Sequence, residues 1–215
     1  MPVRFVCLAN SYKERGRCVA GIMLDRNNNP IIQGGFPRWI RPISDEDHGE
    51  IRVDLVDHIH LLDIVEIEVM DYVGEGYQSE NVTFLESSIR IIGTFDPEKL
   101  YDLCEERPLL FGNKGKVIHL KYIDRLFHSL TLVRATNFEV IEYTTEDVPD
   151  RKKIRLSFIY KGIQYDFPIT DPVFKQNYQD DASFIDDIDE ALLTLSVGVP
   201  LNDWHYKLVA GVIVM

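Results

Sequence analysis

Cysteine is scarce in this 215-residue chain: there are three, Cys7, Cys18 and Cys104, with no Cys-x-x-Cys pair among them. An odd and widely spaced set excludes a disulfide framework and a cysteine zinc site, so the three are expected as buried thiols. Long apolar runs are missing as well. The longest, such as Leu208 to Met215, fall far short of the roughly 20 residues that a membrane helix needs. The N-terminal stretch has no apolar core of signal-peptide length, and the expectation is a cytoplasmic protein without a membrane partner. Basic residues are outnumbered, 23 Lys and Arg against 35 Asp and Glu, for a net charge of −12. Such a deficit counts against nucleic-acid binding over the whole surface, because Lys and Arg must displace the counterions of phosphate. Catalytic signatures are absent too: no Walker-type glycine loop, no Gly-x-Ser-x-Gly elbow, no His-Glu-x-x-His helix. His58 and His60 would share one strand face but lack a third ligand at diagnostic spacing, and His48, His119, His128 and His205 are isolated. Catalytic residues, metal ligands and cofactors are therefore all expected to be none.

What is present is β-rich. A hydrophobic content of 45% with 11% aromatics is enough to build real cores. The segment from Asp63 to Tyr72 alternates cleanly, Val65, Ile67 and Val69 on one face and Glu66 and Glu68 on the other, as in a half-buried strand. Leu156, Phe158 and Tyr160 face Ile163, Tyr165 and Phe167 across Lys161-Gly162, which predicts a β-hairpin. Two strands flanking a basic turn are expected in the first 24 residues, the turn holding Asn10 to Gly16. Asp96 as N-cap and Pro97 at the first helical position predict one short helix near 97–106. A second helix is expected within the acidic stretch 179–195, where Phe184, Ile185, Ile188, Ala191 and Leu192 mark an apolar face. The turn-rich residues 108–116 read as a linker between two strand-rich halves, 1–107 and 117–215. Two phrases recur across these halves. Val-Ala-Gly occupies 19–21 and 209–211, and an aromatic followed by Pro-Ile, a hydroxyl residue and Asp occurs at 39–45 and 165–171. Their order is inverted between the halves, so tandem duplication explains them only if strands were permuted. The structural reading of the shared phrases is core strands of two related barrels.

Charge is unevenly distributed. Residues 1–41 hold seven basic side chains against Glu14 and Asp25, a balance of +5 that leaves −17 on the remainder. Asn10, Ser11, Tyr12, Lys13, Arg15 and Arg17 cluster around the first turn, and Trp39 stands between Arg38 and Arg41. Cations for phosphates beside a flat face for a base are what single-stranded nucleic acid or a nucleotide requires. The competing reading makes Trp39 a core residue whose neighbouring arginines reach out to water.

The ordered set "CLANSYKERGRCVAGI", "WIRPIS", "DIVEIEV", "QSEN", "FPITDP" and "HYKLVAGVI" resembles the bacterial dual OB-containing domain family over nearly the whole chain. The resemblance implies a mainly β protein with two small oligonucleotide/oligosaccharide-binding (OB) barrels in tandem and one or two short helices. It further implies a bacterial conflict or defence setting and a nucleic acid or nucleotide as ligand. Asn10, Ser11, Lys13, Arg17, Trp39, Arg41, Pro42 and Ser44 match its N-terminal motif, Gln78, Glu80 and Asn81 the second, and Pro168, Thr170, Asp171 and Lys207 the C-terminal one. The expected ligand-binding set is thus Asn10, Ser11, Tyr12, Lys13, Arg15, Arg17, Trp39, Arg41, Ser44, Gln78 and Asn81, with Thr170, Asp171 and Lys207 in the second barrel.

Two other functions fit parts of the sequence. A protein-interaction scaffold would use the acidic second half to dock a basic partner. A metal-dependent hydrolase would use the clustered carboxylates around Asp186 and Asp187, although EF-hand spacing is lacking.

Overall fold

The computed structural model describes residues 2–145 and 148–215, the side chains of residues 145 and 148–152 excepted. The protein is mainly β, 52% strand and 20% helical, with few short helices. It divides into two units, Met1–Leu103 with Phe127–Ser129, and Cys104–Leu126 with Leu130–Met215.

The first unit contains β1 (Pro2–Lys13), β2 (Gly16–Leu24), the small hairpin of β3 (Ile32–Gln33) and β4 (Phe36–Pro37), then β5 (Trp39–Ile43), helix α1 (Val53–Val56), β6 (Asp63–Tyr72), β7 (Asn81–Phe84) and β8 (Arg90–Thr94). The pairing order is β1-β2-β5-β7-β6, and β6 returns to β1 from Pro2 opposite Glu68 to Val6 opposite Ile64. That return closes a five-stranded barrel, with β8 added outside β6. Closure leaves no open edge among the five strands. Among the described strand pairs of this unit, β5 and β7 run parallel and the rest antiparallel. The period of two predicted for β6 is observed: Val65, Ile67 and Val69 enter a core with Phe5, Cys7, Val19, Met23, Ile40 and Phe84.

The strands of the first hairpin are longer than the sequence suggested. The ladder continues through Tyr12 opposite Arg17 and Lys13 opposite Gly16, so only Glu14 and Arg15 form the turn. Asn10 to Lys13 are strand residues, and their side chains therefore alternate between faces instead of clustering. A register shift between Cys7 and Ala9 bends β1 beside Gly21. A Cβ on Gly21 would lie 1.8 Å from the Val6 carbonyl oxygen, so only glycine permits this approach.

The second unit is a curled half-barrel in the order β12-β11-β10-β13-β14-β9. Its elements are β9 (Val117–His119), β10 (Leu130–Thr145), β11 (Val148–Tyr160), β12 (Ile163–Pro168), helix α2 (Pro172–Asp180), β13 (Glu190–Leu201) and β14 (Trp204–Val214). The predicted β11–β12 hairpin is present, with Lys161 at φ 47° and Gly162 at φ 76° turning the chain. Phe158, Tyr165 and Phe167 pack ring against ring in its core. Residues 108–116 are part of this unit, and Leu110 is buried in the same core.

The helices differ from expectation in type and place. Residues Pro97–Leu103 form a 3₁₀ helix. The acidic stretch yields only a 3₁₀ segment, Ala182–Asp187, because Asp181 accepts from the Ser183 backbone and hydroxyl and fixes a tight turn. From Glu190 the chain is strand, with Ala191 to Leu195 buried on both faces. The longest helix, α2, lies just before that stretch, capped by Asp171 with Pro172 in its first turn.

The recurring phrases lie side by side in both units. In the first, Gly21 of β2 pairs antiparallel with Ile40 of β5; in the second, Val209 of β14 bridges Ile169 in parallel. Each Val-Ala-Gly strand also borders a register shift, between Cys7 and Ala9 and between Thr194 and Leu195. The shared phrases mark sharply bent neighbouring strands, with opposite relative direction in the two units.

Candidate nucleic-acid interface

Strand alternation divides the first-unit candidates. Val19 and Ile40 point into the barrel, and the register places Asn10, Tyr12 and Arg17 in phase with Val19 at the barrel's end. Asn10 donates to the carbonyls of Val56 and Ile59 at 2.7 and 2.9 Å, tying β1 to α1 and the residues after it. Arg17 stacks over the half-exposed Tyr12 ring at 4.5 Å, and its Nε and Nη1 are buried without an acceptor. Ser11, Lys13, Trp39, Arg41 and Asn81 belong to the opposite, outer phase. Burial holds the Lys13 ammonium below its ordinary range, and nearby Arg41 lowers it further. Arg15, on the exposed turn, joins neither group.

Arg41 is not a free phosphate ligand. Only 3% of it is exposed, and its guanidinium sits 3.1 Å from Glu80, 2.7 Å from the Ser129 hydroxyl and 3.4 Å from Asn81. Ser129 in turn donates to Glu80, completing a buried triangle. Gln78 accepts from Asn81 at 3.3 Å, and the Ser44 hydroxyl donates to the Glu50 carbonyl. These residues brace loops against strands.

The second-barrel candidates make internal contacts as well. Asp171 is buried, caps α2 through Val173 and Phe174, and receives the Val212 backbone at 2.9 Å. Thr170 donates to the Val209 carbonyl. Lys207 is wholly buried, its ammonium donating to the Leu110 carbonyl at 2.7 Å, the Asn113 carbonyl at 2.9 Å and the Asn113 side chain at 3.0 Å. Burial lowers this ammonium from 10.5 to about 7.

A surface the sequence reading passed over lies in the second unit. A cleft of 670 Å³ is lined by Phe111, His119, Tyr122 and Trp204 together with Arg107, Lys121 and Arg125. Trp204 and Tyr122 are 41% and 42% exposed. Trp204 lies opposite His119 in the β14–β9 pair, and their rings meet edge to face at 4.8 Å. The 3₁₀ helix Leu120–Arg125 carries Lys121 and Arg125 to the Tyr122 ring, each 4.7 Å from its centroid. Arg107 pairs with Glu105, but neither Lys121 nor Arg125 forms a salt bridge among the described residues. The sequence signal was available: residues 107–126 hold five basic side chains against Asp124 alone, within an otherwise acidic half.

Burial pushes the Cys104 thiol up to about 12, far from a thiolate at neutral pH. Asp186 and Asp187 are exposed, and among the described residues no three His, Cys, Asp or Glu side chains converge on a metal position. No helix of the described residues is long and apolar enough to cross a membrane.

A closed barrel in the order β1-β2-β5-β7-β6 and, in the same chain, a second curled β unit define a protein of the tandem OB class. The chain belongs to the dual OB-containing domain family, whose model matches residues 3–212. No curated protein matches it. Among solved structures it is similar to a replication protein A heterotrimer bound to ssDNA, at 13% identity and a TM-score of 0.37. That match covers 93% of this chain and 44% of the other, so the chain spans less than half of that relative's length.

Proposed function

We propose that the protein is a non-catalytic cytoplasmic module that binds single-stranded nucleic acid or a nucleotide, in the setting of a bacterial defence system. The observation that supports this reading is the second unit's cleft, where two half-exposed aromatic rings stand among three cations. Bases stack on such rings with about 1–3 kcal/mol each, whatever their identity, while Lys and Arg take the phosphates. Cations gathered in one cleft of a chain that is acidic overall attract phosphate locally, which favours binding at that place.

Titration of the full chain with labelled oligothymidylate and oligouridylate at two salt concentrations tests the reading. Binding that quenches tryptophan emission, weakens with salt and is lost in Trp204→Ala is the expected result. Absence of binding even at low salt would overturn it and favour a protein partner.

A further inference from the structure

A groove that holds an extended strand offers rings and cations in succession along its length. The cleft of the second unit is built differently. Its 670 Å³ fall within the roughly 300–1,000 Å³ of a small-ligand pocket. Its aromatic wall turns a corner at His119, whose ring meets Trp204 at 81° and Tyr122 at 66° and so stacks face to face on neither. The strand that carries His119, β9, is only three residues long.

The cations are focused instead of spaced. Lys121 and Arg125 both lean on the Tyr122 ring, and no carboxylate neutralises either among the described residues. Each phosphodiester inside a strand carries one negative charge. A terminal phosphate monoester carries about −1.5 to −2, which matches two convergent cations far better.

One wall is also held in a costly shape. Phe111 has φ 49°, a left-handed conformation unfavourable for a large aromatic residue. Lys207 grips the loop on both sides of it, through the Leu110 and Asn113 carbonyls. Backbone strain maintained by a buried clamp at a pocket wall is characteristic of preorganised ligand sites.

We propose that this cleft is a seat for one nucleotide bearing a terminal phosphate, its base on Trp204 and its phosphate on Lys121 and Arg125. The inference rests on the reading of the chain as a nucleic-acid or nucleotide binder and adds to it a ligand class and a size limit. A free nucleotide and the phosphorylated end of a strand present the same chemistry.

The test compares, on the full chain, a nucleoside, its mono- and triphosphates, and oligothymidylates of increasing length with a hydroxyl or a phosphate at the 5′ or 3′ end. Terminal phosphate should tighten binding at least tenfold over the matching hydroxyl, and added length should contribute little. Tight binding of free nucleotides supports the seat with a soluble ligand; binding of phosphorylated ends alone supports it with a strand terminus. In Lys121→Gln/Arg125→Gln with unchanged melting temperature, the phosphate increment should vanish. Indifference to terminal phosphate, with affinity growing steadily with length, would overturn this inference and leave the broader binding reading intact. If no ligand binds, both fall.

Discussion

Arg41 spends its guanidinium on Glu80, Ser129 and Asn81, all within the first unit. Replacing it with alanine leaves the Glu80 carboxylate buried without its cation, which costs about 3–5 kcal/mol. Arg41→Ala should therefore lower the denaturant midpoint sharply, whereas Arg41→Met with Glu80→Leu should recover most of the loss. A midpoint unchanged in the single variant would mean that the triangle does not form. The sequence could not disclose this. Next to Trp39, an arginine reads as a surface cation, and only the parallel pairing with β7, which sets Arg41 opposite Asn81, brings Glu80 beneath it. Lys207 is legible by its position: His205 and Val209, two residues to either side, share its strand face and are buried.

Between residue and whole molecule, the elements carry the clearest lessons about what sequence conveys. The β6 strand and the β11–β12 hairpin were plain because one face is buried, and burial forces a period of two. Helix α2 was missed although Asp171-Pro172 repeats the Asp-Pro signal that located the 3₁₀ helix at Pro97. Its apolar face is thin, with Phe174 alone buried, so periodicity gave no support. Gly21 is a requirement of the bend in β1: Gly21→Ala would drive a methyl into the Val6 carbonyl, and a loss of about 3 kcal/mol or outright misfolding is expected in a urea melt.

The β14 strand also holds a pH-dependent element. Lys207 titrates near 10.4 in the unfolded chain, while burial brings the folded value to about 7. Between these values the unfolded state binds a proton that the folded state does not, so stability rises with pH from about 7 to about 10; below 7 both states are protonated and the dependence disappears. A single proton limits the slope to about 1.4 kcal/mol per pH unit, and the three oxygens around Nζ, which favour the ammonium and oppose the burial, narrow the window over which it applies. Subtracting the profile of Lys207→Met from that of the parent isolates the effect. A flat difference across pH 7–10 would show that the oxygens fully offset the burial. The same variant frees the loop around Phe111 and should weaken ligand binding.

At the scale of the whole molecule, charge placement decides how binding responds to salt. The chain carries −12, yet residues 107–126 carry a surplus of four positive charges. The basic N-terminal stretch, which drew attention in the sequence, is divided by strand alternation between two faces, and Arg41 is withdrawn into the interior. The cleft's Arg107, Lys121 and Arg125 are what remains in one place. On single strands each phosphate neutralised contributes about −0.7 to the slope of log K against log salt, so three cations give at most about −2. Repulsion from the acidic body is screened by the same salt and makes the observed slope shallower still. Equilibrium titration of an oligonucleotide across a fourfold salt range should return a slope between about −1 and −2, and Lys121→Gln or Arg125→Gln should each reduce it by roughly 0.7. A slope near −4 would bring other cations into contact, and Arg15 and Arg17 in the first unit are the side chains that could supply them. Loss of the excess slope in Arg15→Gln/Arg17→Gln would then locate a second phosphate track on the closed barrel.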